Sequence, residues 1–131
     1  MAAGKYSFTI EQGATTNIQV NWTDESGSAI DLNGYHARMQ IRPTVESSEV
    51  YLSLSSSLTE DGTGILMSGS TGELPLSSGS IAIYISAISS SQLDFEQAYY
   101  DLEMVTGSEV VTRLLEGRVQ LSKNVTRWVF Q

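Results

Sequence analysis

The chain has 131 residues and no cysteine, with 15 Asp plus Glu against 7 Lys plus Arg, a formal charge of −8. That length is one domain with enough chain to bury its own core. The missing cysteines exclude disulfides, thiolate nucleophiles and Cys-based metal sites, and the acidic balance speaks against a nucleic-acid binder or a protein of anionic membrane surfaces.

Apolar residues are 40% of the chain and charged residues 17%, too apolar and too weakly charged for disorder. The start, Met1 to Lys5, runs into strand-like sequence with no apolar signal-peptide core, so the expectation is synthesis in a cytoplasm. Nothing approaches 18 uninterrupted apolar residues.

The dominant period is two. Tyr6, Phe8 and Ile10 alternate with polar residues and predict a first strand; Ile18, Val20 and Trp22 predict a second. Asp24-Glu25-Ser26-Gly27 and Asp31-Leu32-Asn33-Gly34 are turn sequences. Tyr35, Ala37, Met39 and Ile41 then alternate with His36, Arg38, Gln40 and Arg42 in the clearest strand of the chain. Val50, Leu52 and Leu54 predict a fourth strand, and Ile65-Leu66-Met67 is a short candidate between glycine-rich turns. Ile81, Ile83 and Ile85 predict the next.

One segment breaks the pattern: residues 89–95 read as a serine-capped helical turn. Tyr100, Leu102 and Met104 follow as a strand, then the hairpin tip Thr106-Gly107-Ser108, then a long strand from Val110 to Leu121. The apolar phase of that last strand slips near Leu114-Leu115, which predicts a β-bulge. Gly117 in mid-strand predicts a bulge or the close approach of a neighbour.

Seven half-buried runs with one wet face each describe an antiparallel β protein. The helical turn before the penultimate strand, with Tyr99-Tyr100 after it, is the pattern of an immunoglobulin-like E–F corner, so residues 1–131 are read as a single immunoglobulin-like β-sandwich. A tyrosine corner is expected at Tyr99 or Tyr100, and Trp22 is the candidate core aromatic.

The chemistry-bearing residue types are sparse. His36 is the only histidine and shares the polar phase of its strand with Arg38 and Arg42, a setting that repels a cation. It reads as a surface residue, not a catalytic one. No nucleophile elbow, phosphate loop, zinc-helix motif or calcium loop is present. The expectation is therefore a non-enzyme without cofactor or metal.

Asp101 and Glu103 lie on one face of one strand, where they read as partners for Arg38, Arg42 or Arg118 on neighbouring strands. Sheet adjacency of those strands predicts a mixed-charge outer face of His36, Arg38, Gln40, Arg42, Asp101, Glu103, Glu116, Arg118 and Gln120. That face is either solvated surface or a polar docking face for another protein. The C-terminus carries Trp128 and Phe130 in alternating phase, so residues 124–131 either close an edge of their own domain or extend to a neighbour.

Several segments resemble a family of small proteins of tailed bacteriophages and prophages. They are Gly4-Lys5-Tyr6-Ser7-Phe8-Thr9-Ile10-Glu11-Gln12-Gly13-Ala14, the run from Asp31-Leu32-Asn33-Gly34 to Arg42, Tyr100-Asp101-Leu102-Glu103, and Val111-Thr112-Arg113-Leu114-Leu115-Glu116-Gly117. The central piece, apolar-Asp-Leu-x-Gly-Tyr-x-Ala-Arg, is also similar to the N-terminal domain of upper baseplate proteins of lactococcal-type siphophages. The resemblance implies an immunoglobulin-like structural domain that docks receptor-binding or fibre components, and it carries no catalytic residues. This chain runs past the family's Val-Thr-Arg ending by Trp128-Val129-Phe130-Gln131.

The expectation is a virion protein of the tail or baseplate, present in many copies, whose partners are other virion proteins and itself, with no nucleic acid and no membrane. Arg38, Arg42, Asp101, Glu103, Trp128 and Phe130 are the expected interface residues. Two alternatives use the same fold: a head decoration or neck protein, and a carbohydrate- or receptor-binding module with Tyr51, Tyr84 and Tyr99 facing outward.

Overall fold

The computed structural model describes residues 4–126. Trp128 and Phe130 lie outside the described residues.

Nine strands form. They are β1 (Gly4–Lys5), β2 (Phe8–Glu11), β3 (Thr16–Asn21), β4 (Tyr35–Arg42), β5 (Leu52–Ser55), β6 (Gly64–Leu66), β7 (Ser80–Ile85), β8 (Gln97–Thr106) and β9 (Val111–Ser122). A short helix, α1 (Ala87–Ser91), joins β7 to β8, and a 3₁₀ turn spans Leu76–Ser78. The larger sheet runs β1-β9-β8-β4-β5, with β2 also on β9; the smaller runs β3-β7-β6. The first strand pairs with the last, and the two sheets divide the remaining strands as in a variable-type immunoglobulin domain. The protein is thus an immunoglobulin-like β-sandwich. One feature departs from an all-antiparallel plan: β1 and β2 run parallel to β9.

Period-two patterning builds the core. Ile81, Ile83 and Ile85 of β7 are fully buried against Met39 and Ile41 of β4 and Leu102 and Met104 of β8, which are buried to the same degree. Each such side chain contributes roughly 1.5–3 kcal/mol on leaving water. The core aromatics are Phe8, Phe95 and Tyr100. Trp22 does not take the central place expected of it. It lies just past the end of β3, is half-buried, and packs edge-on against Tyr35 at 5.3 Å.

The bulge is where the slipping phase put it. Leu102 faces Leu115 and Glu103 faces Arg113, leaving Leu114 without a partner. Three other expectations are corrected. The first strand is interrupted at Tyr6 and Ser7, and Tyr6 is 43% exposed rather than inward. No tyrosine corner forms: Tyr99 stands on the outer face, and the Tyr100 hydroxyl donates to the Tyr6 carbonyl at 2.7 Å, across the sheet instead of back along its own connection. Val50 precedes its strand and is exposed.

The helical turn starts two residues before the expected range. Ser86 caps it, accepting from the Ser89 N–H at 3.0 Å. Fully buried Ser90 donates its hydroxyl to the Ala14 carbonyl at 2.8 Å and accepts from the Gly13 N–H at 3.1 Å. Thus α1 ties the β2–β3 turn to that end of the sandwich.

Candidate functional site

Alternation along β4, β8 and β9 turns one set of side chains into the core and the other onto the outer face of the larger sheet. Register then assembles the outer set. Arg38 faces Glu103 and Gln40 faces Asp101. Asp101 faces Glu116, and Tyr99 faces Arg118. Of the sequence-derived site residues, Arg38, Arg42, Asp101 and Glu103 therefore come together on one surface. His36 is exposed at one end of it, opposite Val105.

The charges form a row across four strands. The Arg38 Nε donates to the Glu103 carboxylate at 2.7 Å. Arg113 lies 3.4 Å from Asp101 and 3.4 Å from Glu116, and Lys5 on β1 pairs with Glu116. Arg42 turns away from the acids. Its guanidinium donates to the Gln40 Oε1 at 2.7 Å and to the Ser47 carbonyl at 2.6 Å. Arg42 and Arg118 have no carboxylate partner among the described residues.

The acids are not equivalent. Lys5 and Arg113 hold the Glu116 carboxyl below its ordinary range. Asp101 is pushed up, first by burial and then by the neighbouring Glu103 charge, with Arg113 offsetting only part of this. Pairs this exposed contribute about 0–1 kcal/mol each, so the row is weak evidence for stability.

The charge count of the face is its distinguishing property. Lys5, Arg38, Arg42, Arg113 and Arg118 are five of the chain's seven basic residues, against the four strand carboxylates Glu11, Asp101, Glu103 and Glu116. The strand residues of the face therefore carry a formal +1 on a chain of −8. Two shallow grooves of about 420 and 350 Å³ cross it and share Gln40, Asp101 and Glu103. The second is bordered by Tyr99 and by Val45, which is 81% exposed. Arginine, tyrosine and an exposed aliphatic side chain are what protein contact surfaces favour.

The smaller sheet does not offer a comparable face, because the chain covers part of it. The Gln19 Oε1 accepts from the Ser70 N–H at 3.0 Å and hydroxyl at 2.8 Å, and the Asn17 side chain donates to the Ser70 carbonyl at 3.2 Å. Gly69 of this loop is buried, as is Ala82 of β7.

Sequence reasoning missed Arg113 and Lys5. The signal for Arg113 was present, since a bulge at Leu114 moves it into phase with Glu116. Nothing local marks Lys5, whose place depends on β1 pairing with the last strand. It also missed Asp61. That carboxylate accepts from the hydroxyls of Ser86 and Ser89 at 2.6 Å each, from the Thr59 hydroxyl, and from the Thr63 N–H at 3.1 Å. These donors hold its pKa well below the carboxylate range. The site is structural in its geometry: it locks the β5–β6 loop onto the cap of α1. The expected outward aromatics do not make a platform either. Tyr51 stacks on Phe95 at 4.7 Å with the rings 6° apart, packed against the core.

No family model matches the chain, and no curated protein matches it. Among solved structures, a chain in the crystal structure of ICOS in complex with ICOS-L and an anti ICOS-L VNAR domain is similar at 14% identity and a TM-score of 0.44. The match covers 93% of this chain and 56% of that one, so this chain spans little more than half the length of its structural neighbour.

Proposed function

We propose that the chain is a structural protein of a tailed-bacteriophage virion, a tail or baseplate subunit that docks neighbouring subunits or fibre components. The outer face of the larger sheet is its contact surface, with Arg38, Arg42, Asp101, Glu103 and the added Arg113 as its polar contacts. The segments similar to phage baseplate domains support the class. The observation that carries the docking role is the gathering of five cations on one face of an acidic chain. Such segregation steers an acidic partner onto one side and repels it from the others. Repetition around a particle axis would let modest contacts add up. Location in the virion follows from the same reading.

Two measurements test it. Mass spectrometry of purified particles from a producing host should find the chain in stoichiometric amount. Co-expression with the tail proteins should yield a complex that the pair Arg38→Glu and Arg42→Glu abolishes while the melting temperature holds. Absence from particles would sink the virion reading. A complex indifferent to both reversals would sink the face.

A further inference from the structure

The two sheets leave β3 as an open edge. On one side it pairs with β7 along its whole length; on the other, no strand pairs with it among the described residues. Its inward residues Thr16, Ile18 and Val20 are half-buried, whereas their partners Ile85, Ile83 and Ile81 are fully buried. Beside it, between β2 and β3, runs a groove of about 470 Å³ lined by Tyr6, Phe8, Thr16 and Ile18 among others.

Edge strands are normally guarded by shortness, charge, proline or a bulge. The other edges of this sandwich obey that rule. Strand β5 has four residues and β6 has three. The β1–β2 edge is broken at Tyr6 and Ser7 and carries Lys5 and Glu11. Strand β3 has six residues, Thr-Asn-Ile-Gln-Val-Asn, with no charge, no proline and an unbroken register to β7.

Its sequence is also self-complementary. Centred on Gln19, the strand reads Asn17-Ile18-Gln19-Val20-Asn21, a palindrome in residue type. Two copies laid antiparallel would set Gln19 against Gln19, Ile18 against Val20 and Asn17 against Asn21. Asn17, Gln19 and Asn21, whose side chains are held within each copy by Ser70, by one another and by Ser80, would line the outer face, and the aliphatics would pair on the inner one. A two-fold contact requires this reciprocity, in which residue i meets j while j meets i. No like charges meet across it, although each chain carries −8.

From this edge we infer that β3 pairs antiparallel with β3 of a second copy about a two-fold axis at Gln19, joining the two smaller sheets into one six-stranded sheet. The inference stands apart from the virion reading, since it uses a different surface and needs no other protein.

The chain lacks cysteine, so single cysteines report the register cleanly. Facing Cα atoms in an antiparallel pair lie roughly 4.5–5.5 Å apart, within the range a disulfide spans. Gln19→Cys should therefore oxidise to a dimer. Asn17→Cys alone should not, because the two copies of residue 17 would be about 13 Å apart, but mixed with Asn21→Cys it should. Light scattering over a concentration series should show a wild-type dimer, and Gln19→Lys, which sets two ammonium groups face to face, should raise its Kd roughly tenfold or more. A wild-type monomer throughout would overturn the inference. So would a dimer that ignores Gln19→Lys and forms no 19–19 disulfide, or one that truncation after Thr126 dissolves and Gln19→Lys does not. If Gln19→Lys fails to fold, the three cysteine variants decide alone.

Discussion

Gly117 on β9 faces Tyr100 on β8, and the two together admit the first strand to the sheet. A Cβ at residue 117 would collide with the Tyr6 carbonyl oxygen. That same oxygen accepts the Tyr100 hydroxyl at 2.7 Å. The break in the β1–β2 edge is thus held by specific contacts. The Tyr6 carbonyl turns towards the phenol, and the Arg118 N–H opposite the break donates to the Ser7 hydroxyl at 3.2 Å instead. Burial raises the Tyr100 pKa, which keeps the phenol a donor across the working pH range.

Gly117→Ala should therefore cost about 1–3 kcal/mol, as overpacking against backbone does. Tyr100→Phe should cost about 1 kcal/mol for the lost hydrogen bond. Because both changes break the same contact, the double variant should fall short of the sum. Urea unfolding of the four proteins checks this, and strict additivity would show the contact to be incidental.

Asp61 predicts a pH signature. Its folded pKa lies below the ordinary value near 3.8 because three hydroxyls and one N–H donate to it. A depressed acid contributes stability above its unfolded pKa and loses it as pH falls towards the folded value. The stability gap between wild type and Asp61→Asn should stay constant from neutral pH to about pH 5 and then narrow steadily below about pH 4. Denaturation midpoints across that range measure it; a gap that does not change with pH would contradict the proposed role of the charge.

Asp101 predicts the opposite sign. Its folded pKa is raised, first by burial and then by Glu103. A raised acid favours the folded state below its unfolded pKa, and that gain is lost as pH rises through the folded value. Asp101→Asn should thus stabilise the fold at neutral pH by less than about 1 kcal/mol given the exposure of the site, seen as a higher melting temperature, and the gain should disappear in acid. Arg113→Ala should destabilise wild type more than it destabilises Asp101→Asn, because the arginine offsets the Asp101 charge.

The bulge gives a register test. Deleting Leu114 would remove the extra residue of β9, so that residues 111–113 slip by one against β8 and change faces. Arg113 would leave the row with Asp101 and Glu116. Its double-mutant coupling to Asp101 should vanish, beyond whatever stability is lost with the Leu114 contact to the core.

Much of this was legible without coordinates, because β-sheets repeat every two residues and the alternating runs of β4, β7 and β8 name their own buried sides. Arg38 and Glu103 could be assigned to one face on that basis, and the slip at Leu114-Leu115 announced its bulge. Trp22 and Tyr6 misled for one reason: each continues an alternation past the point where the strand ends or breaks, and periodicity does not mark ends. Asp61 carried no signal, since its four donors come from Thr59, Thr63, Ser86 and Ser89, on two separate stretches of chain.

By itself the sequence determined the class of fold and which side of each strand meets water, for both are local properties of patterning. Tertiary structure alone decided that the first strand would lie parallel to the last, that Lys5 and Arg113 would join the charged row, and that β3 would be left as an open edge. Those outcomes depend on which strands become neighbours. Neighbourhood is set by packing over the whole chain, through contacts such as Tyr100 to Tyr6, 94 residues apart.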